Sequence, residues 1–392
     1  MKRIATLSDL QTLIIKKYGG KMMKKRIIAM LVGVSMVISM LVGCGSSTDS
    51  GTNSEEKESA AAETEEKESA SAETEEGESK GTIGWIMINL TNPFYVSAVE
   101  AAQEACDELG YELIVKDCDG SLESEIDNIE NFIEMGVDAI CADFVNAEGL
   151  ADACKKASEA GIPMISLFNE INTGYNSSVA YDHYSGFKAT TIAVCEALGG
   201  EGKVCVMQGG IGNWAGDERT RGFEEAAANY PGIEVLSMQP CDWDPAEGVS
   251  IAETWLTQFD KIDALLCMTD GVTPSLIELI QAQGRADEIM VAGNDGETAV
   301  LELMNTGDVN IGADALLSSL RGGYLGILTA DQLIQGKDID TVWIPVSLVV
   351  SDEVKAKLDA SNADLSFIDV LTAEEGLAIA ENYMNEFKDY FK

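Results

Sequence analysis

Basic residues and histidine are what this chain of 392 residues lacks: 26 lysines and arginines stand against 67 aspartates and glutamates, with a single histidine. A formal net charge of -41 excludes a nucleic-acid surface, which needs a clustered positive face. With His183 alone, a two-histidine metal site is impossible, and a Ser-His-Asp triad would have to use that residue. No phosphate-binding lysine loop and no dinucleotide glycine fingerprint occurs; Gly209-Gly210-Ile211-Gly212 reads as a loop before a helix. The nine cysteines match no metal-knuckle spacing. These absences leave no catalytic residue, metal or cofactor to assign.

Long apolar runs are also scarce. One, Ile27 to Val42, follows Lys24-Lys25-Arg26 and is too short for a comfortable membrane span of about 20 residues. It ends at Leu41-Val42-Gly43-Cys44 and passes straight into glycine and serine. That pattern is an export signal, and its end resembles the bacterial lipobox. The resemblance implies cleavage before Cys44 and a diacylglycerol on its sulfur, which would tether the mature chain to the membrane. Met1 to Lys21 fits no part of such a signal, so Met22 or Met23 reads as the start.

Residues 45–80 have no large apolar side chain and carry a near-repeat, Glu55 to Thr64 and again Glu65 to Thr74. Such a stretch buries too little apolar surface to offset the entropy of ordering it, and its like charges extend it. A flexible acidic tether is expected. Without residues 1–43, which hold eight basic residues and one acidic, the formal charge falls to -48.

From Gly81 onward short apolar runs alternate with amphipathic stretches, as βαβ units require. Strands are expected at Thr82–Ile88, Tyr111–Lys116, Ala139–Phe144, Pro163–Phe168, Ser178–Tyr181, Lys203–Gln208, Glu234–Gln239, Ala264–Met268, Met290–Gly293 and Asn310–Ala313. Helices at Val96–Leu109, Ser121–Met135 and Leu150–Ala160 each end at a glycine (Gly110, Gly136, Gly161), where a left-handed cap is wanted. About 300 residues exceed the usual size of one core, so two α/β lobes, each a doubly wound parallel sheet, are expected with a cleft between them. Ligands of such sheets sit at the carboxyl ends of the strands.

At those ends lie Asn92-Pro93-Phe94-Tyr95, Phe168-Asn169, Glu218-Arg219-Thr220-Arg221-Gly222-Phe223, Asp242-Trp243-Asp244, Thr269-Asp270 and Asn294-Asp295-Gly296. In this order, over Gly81 to about Val350, they resemble the type I periplasmic sugar-binding proteins. The resemblance implies two lobes joined by a multi-strand hinge. Lobe 1 would comprise 81–182 and 315–342, lobe 2 would comprise 183–314 and 343–380, and 381–392 would end a C-terminal helix. It also implies ligand contacts from Asn92, Phe94, Tyr95, Phe168 and Asn169 on one wall and Arg219, Trp243, Thr269, Asp270, Asp295 and Asp314 on the other. Amides, carboxylates and a guanidinium fork suit vicinal hydroxyls, and rings suit the apolar C–H faces of a sugar. Phe168-Asn169 replaces the Asp-Arg pair of ribose binders. Gly199-Gly200-Glu201-Gly202, where the galactose/glucose branch holds calcium, lacks ligands for it.

The family further implies a monomer that hands a sugar or polyol to an ABC permease and its ATPase. Hinge crossings are expected near Tyr181–Tyr184, Asp314–Leu317 and Thr341–Ile344, with His183 making a hinge or loop hydrogen bond. Thr372–Phe391 reads as a terminal helix packed on a lobe. Two alternatives stay open: a sensor lipoprotein feeding a receptor or kinase, and an amine carrier. The second would use an acidic aromatic box of Asp217, Asp270, Asp295 and Asp314 with Phe94, Phe168, Trp214 and Trp243. Arg219 beside such a box speaks against it. Only the address depends on the Cys44 sulfur, so Cys44→Ala should release or mis-process the protein and leave ligand binding by the purified domain unchanged. Cell fractionation tests this; a cleaved variant still wholly membrane-bound would contradict it.

Overall fold

The computed structural model describes residues 79–392; Cys44, the expected signal and most of the expected tether lie outside them. Two sheets organise the rest. The first has the order β11-β5-β4-β3-β1-β2 and is parallel throughout. Its strands are β1 (Gly81–Met87), β2 (Tyr111–Asp117), β3 (Ala139–Ala142), β4 (Met164–Phe168), β5 (Asn176–Tyr181) and β11 (Thr341–Ile344). The second has the order β13-β12-β10-β9-β8-β6-β7. Its strands are β6 (Glu201–Gln208), β7 (Gly232–Pro240), β8 (Ala264–Cys267), β9 (Met290–Asp295), β10 (Ile311–Leu316), β12 (Ser347–Val350) and β13 (Asp369–Thr372). It is not wholly parallel, because β12 runs antiparallel to β10. The chain reaches β12 directly from β11 through Pro345 and Val346, with no helix to turn it round.

Helices cover both faces: α1 (Pro93–Leu109), α2 (Leu122–Met135), α3 (Ala147–Glu159), α4 (His183–Ala197), α5 (Trp214–Ala227), α6 (Pro245–Gln258), α7 (Thr273–Ala282), α8 (Thr298–Thr306) and α9 (Ser319–Ile334). Their starts are written in the sequence. Asn92 caps α1 by accepting from the Phe94 N–H at 3.0 Å, and Pro93 occupies the first turn. Asn213 caps α5, and Asp244 followed by Pro245 opens α6.

The first core packs α1 and α9 against β1, β4 and β5 through Trp85, Leu167, Tyr181 and Tyr324. Here Gly323 is required, since a Cβ on it would lie 2.1 Å from the Ala98 carbonyl oxygen on α1. The second lobe holds two clusters, one on each face of its sheet, around Trp255 and Phe187. Cys106, Cys118, Cys141, Cys154, Cys195, Cys205, Cys241 and Cys267 are buried free thiols, and burial pushes the Cys106 and Cys205 thiols up to about 12.

The chain crosses between sheets at Tyr181–His183, Leu316–Ser319 and Ile344–Ser347. The boundary expected at 342 runs through β11, which pairs along its whole length with β5. The expected terminal helix over Thr372–Phe391 is instead β13, α11 (Ala373–Glu381) and α12 (Tyr383–Phe387), preceded by α10 (Asp352–Ala360). A capping box, Thr372 with Glu375, starts α11, and Asn382 interrupts the helix. The break has a consequence: Ala380 is buried in the second lobe, whereas Tyr383 and Phe387 are buried in the first, so Asn382 makes a fourth crossing. Buried Arg321 fastens it. Its guanidinium donates to both Glu386 carboxylate oxygens, at 3.0 and 2.7 Å, and to the Leu317 and Pro345 carbonyls of two other crossings.

Gly323→Ala should destabilise the protein by about 1–3 kcal/mol, because α1 and α9 must separate to admit one methyl group. Urea unfolding measures it, and a variant within about 0.5 kcal/mol of the parent would contradict the contact.

Candidate functional site

Between the carboxyl ends of the two sheets the chain closes on a small cavity lined by Asn92, Phe94, Tyr95, Asp143, Phe168, Asn169, His183, Asn213, Ala215, Arg219, Trp243, Thr269 and Asp295. Nine of the eleven ligand residues expected from the sequence are among them, drawn from both lobes. Asp270 and Asp314 are not. The cavity is about 30 Å³, room for a water or two, so a ring-sized ligand requires the lobes or the lining side chains to move.

Two helix caps double as bridges across the cleft. Asn92 donates from Nδ2 to the Trp243 carbonyl at 3.0 Å, and Asn213 donates to the Phe144 carbonyl at 3.3 Å. The cap amide thus uses its oxygen on its own helix and its nitrogen on the facing lobe. Phe94 meets Phe168 edge to face with centroids 5.0 Å apart, and Phe168 stacks on Tyr181. Trp243 lies flat over Gly209, where any Cβ would strike the indole at 2.0 Å.

Arg219 is the centre of the second wall and is 3 % exposed. Its Nη1 pairs with Asp295 Oδ1 at 3.0 Å and also donates to the Met268 carbonyl. Its Nε and Nη2 point at His183 Nδ1, at 3.1 and 3.0 Å. Asn294, its amide oxygen assigned toward the guanidinium, accepts from Nη1 and Nη2 at 3.0 and 3.2 Å. Trp243 covers the guanidinium at 5.2 Å. Arg221, two residues on, is exposed, pairs with Glu218 on its own helix and lies over Tyr184.

His183 Nε2 stands 2.9 Å from the Phe168 carbonyl. A carbonyl only accepts and a guanidinium only donates, so the proton is on Nε2, Nδ1 is bare and the ring is neutral. Burial first, and then the Arg219 charge, hold its pKa well below the ordinary histidine range. The ring therefore links the end of β4 in one lobe to Arg219 in the other.

Asp295 and the two expected carboxylates that miss the cavity form one unit. Asp295 Oδ2 accepts from the Asp270 N–H at 3.0 Å. Asp270 accepts from the Asn294 N–H at 3.2 Å and the Glu297 N–H at 2.9 Å. Asp314 accepts from the Gly296 N–H at 3.1 Å. Both brace the Asn294–Glu297 turn from behind. Asp314 was expected just past a strand end, but β10 runs on to Leu316 and carries it inside the sheet, paired with Gly293. Burial, then the Asp270 charge, push its pKa well above the usual carboxylate range. It keeps its proton and shares it with Asp270, itself pushed up to about 7 by burial and Asp295.

Of the expected amine box, Asp217 accepts from the Gly212 N–H at 3.2 Å in the loop before α5, and Asp295 is neutralised by Arg219. Asp143 falls inside the expected strand Ala139–Phe144, but β3 ends at Ala142, so Asp143 is the first residue past it. Asp143 is 3 % exposed and accepts from Asn169 Nδ2 at 2.6 Å. His183, Asn213 and Ala215 are the other lining residues absent from the expected set; the first two occupy a crossing and a helix cap, which a search of strand ends alone overlooks.

The backbone is bent into the left-handed region at Phe168 (φ 63°), Asp242 (φ 49°), Trp243 (φ 61°) and Asp295 (φ 146°), and at Ser318 (φ 68°) in a crossing. Such conformations cost about 1–3 kcal/mol each for residues with a Cβ. Five of the six such positions among the described residues, all but Asp119 (φ 49°), group around the cavity and a hinge, where the fold holds side chains in place at a cost to stability.

Asp314 binds its proton more tightly folded than unfolded, as do Asp143 and Asp270, both pushed up to about 7, and Glu125 and Glu297, both to about 8. A raised carboxyl pKa stabilises the folded state at low pH, and that stability is lost as pH rises from the ordinary value to the folded one. The ligand-free protein should therefore melt higher at pH 5 than at pH 8. Asp314→Asn, whose amide nitrogen replaces the shared proton while its oxygen still faces Gly296, should hold or raise the melting temperature at pH 8 and flatten the slope. Equal destabilisation at both pH values would refute the shared proton.

The chain matches the family model described as a periplasmic binding protein domain over residues 83–338. It is 29% identical over 271 residues to the ribose import binding protein of Escherichia coli, covering 69% of this chain and 90% of that one. The ribose import binding protein of Bacillus subtilis is 26% identical over 269 residues, covering 68% and 86%. An ABC transporter solute-binding protein from Bacillus halodurans, solved with bound myo-inositol, superposes with a TM-score of 0.65 at 26% identity, covering 72% of this chain and 99% of that one. With two lobes crossed at a hinge and a cavity at the strand ends between them, the chain belongs to the periplasmic binding protein family.

Proposed function

We propose that this protein is an extracytoplasmic solute-binding lipoprotein that captures a monosaccharide or related polyol between its lobes and delivers it to an ABC permease and its ATPase. The observation that carries the reading is the composition of the closed cavity: a guanidinium, two carboxylates, amides and stacked aromatic rings, contributed by both lobes. That mixture suits a small molecule whose edges carry hydroxyls and whose faces are apolar. Ribose and myo-inositol, named for two of the relatives, are both of this class. The lipid on Cys44 holds the protein at the outer face of the membrane as a monomer, and residues 45–80 give it reach. Binding and release are its whole chemistry, with no turnover.

The ligand favours the closed arrangement by touching both walls, and the crossings at Tyr181–His183, Leu316–Ser319, Ile344–Ser347 and Asn382 absorb the motion. Asn92, Phe94, Tyr95, Phe168 and Asn169 serve as one wall, and Arg219, Trp243, Thr269 and Asp295 as the other. Asp270 and Asp314 act through the turn that carries Asp295.

A thermal-shift screen over ribose, hexoses and inositols tests this reading: ligand at a hundred times its dissociation constant stabilises by about 2.7 kcal/mol. Arg219→Ala should weaken binding by one to two decades, from loss of charge-assisted hydrogen bonds worth about 1.5–3 kcal/mol. Arg221→Ala should cost little. Equal small losses by calorimetry would remove Arg219 from the site.

A further inference from the structure

The charges facing the cavity do not balance. Among the described residues Arg219 is the single cationic side chain lining it; Asp295 meets its charge, and it also donates to the Met268 carbonyl, His183 and Asn294. His183 is held neutral between a donor and an acceptor. Asp143 remains: a carboxylate 3 % exposed that makes no ion pair among the described residues. Its protein contacts are Asn169 Nδ2 at 2.6 Å and the Tyr95 hydroxyl beside it, whose pKa its charge helps to raise.

A second observation points the same way. Asn169, 1 % exposed, lines the cavity with Nδ2 spent on Asp143 and Leu167, and its Oδ1 has no hydrogen-bond partner among the described residues. With Asp143 ionised, it and Asn169 offer an edge of acceptors only. Leaving a buried acceptor unpaired destabilises the fold, and leaving a buried charge unpaired does so more strongly. A hydrogen-bond donor satisfies that edge, and a donor that also carries a positive charge pairs the ionised Asp143.

Resting on the sugar-or-polyol reading and narrowing it, we propose that the ligand is a cationic amino-polyol, an amino sugar or aminocyclitol, whose protonated nitrogen sits against Asp143 and Asn169. Arg219 is no obstacle, because Asp295 neutralises it at 3.0 Å. Phe94, Phe168 and Trp243 enclose the carbon skeleton, and Arg219 with Asp295 reads the remaining hydroxyls. The box of four aspartates expected from the sequence gives way to one carboxylate on the opposite wall.

The test is calorimetry on the mature soluble domain with matched pairs: myo-inositol against scyllo-inosamine, glucose against glucosamine, and ribose against its 2-amino-2-deoxy analogue. At pH 7.5 at least one amine should bind tighter than its hydroxyl partner by about thirtyfold or more, the loss expected when one member of a buried charge pair is removed. Asp143→Asn should erase that preference, weakening the amine by at least tenfold more than its neutral partner. The parent protein supplies an arm that needs no variant. Asp143, pushed up to about 7 chiefly by burial, faces Tyr95, Glu125, Cys118, Arg219 and Asn169. Affinity for the amine should rise from pH 5.5 to 7.5 as Asp143 ionises; a neutral polyol held by a protonated Asp143 would bind more weakly over the same range. Neutral polyols binding as tightly as their amines, or Asp143→Asn weakening both alike, overturns the amine and leaves the transport reading standing. Silence from every member of every pair overturns both.

Discussion

One neutral imidazole sets the geometry on which the site depends. His183 donates from Nε2 to the carbonyl of Phe168 and accepts at Nδ1 from Arg219, so its tautomer is dictated by partners that have no choice of role. The contact also joins lobes, since Phe168 ends a strand of the first sheet and Arg219 sits on a helix of the second. Protonating the ring would put a second cation against the guanidinium and leave Arg219 without its acceptor. Hence burial and Arg219 act in the same direction on it. The strained φ of Phe168 belongs to the same arrangement, turning its carbonyl to the ring and its side chain to the cavity.

Behind Arg219 the carboxylates are graded by what each touches. Asp295 meets the guanidinium; Asp270 and Asp314 meet backbone N–H groups of the turn that presents Asp295. A turn braced by carboxylates on its N–H groups is stiff, and a stiff turn holds Asp295, one of the two carboxylates lining the cavity, in place. The shared proton between Asp270 and Asp314 is the condition for keeping three acids so close, because two unprotonated neighbours in that interior would repel.

Much of this was legible because local rules and tertiary roles coincide. Asn92-Pro93 and Asn213 announce helix starts, and the same amides bridge the cleft. Where the reading went astray, strand length decided it. Drawing β3 two residues too long hid Asp143 inside a strand, and drawing β10 three residues too short promoted Asp314 to a strand end. Apolar runs do not mark where the ladder stops, since Phe144 beyond β3 is as apolar as β3 itself and Asp314 within β10 is acidic. Likewise nothing in the pattern of Thr372–Phe391 tells that Asn382 breaks the helix, because the break serves a packing choice between two lobes. The side chain that fixes it, Arg321, lies over 60 residues earlier.

The cavity's small volume and its bridging amides together say what a ligand must do. In the closed arrangement Asn92 and Asn213 already satisfy carbonyls of the facing lobe, so closure does not wait on the ligand for every cross-cleft bond. A solute therefore shifts the balance between open and closed only by the interactions that the protein leaves unmade. Among the described residues those are few and particular: the Asn169 oxygen, buried without a partner, and the free flank of Asp143. A molecule that merely fills space would have to push the rings apart without meeting these groups, and would gain nothing from closure. On the reading proposed above, selectivity rests on that donor-hungry edge in one lobe acting together with Arg219 and Asp295 in the other, while the rings fix shape.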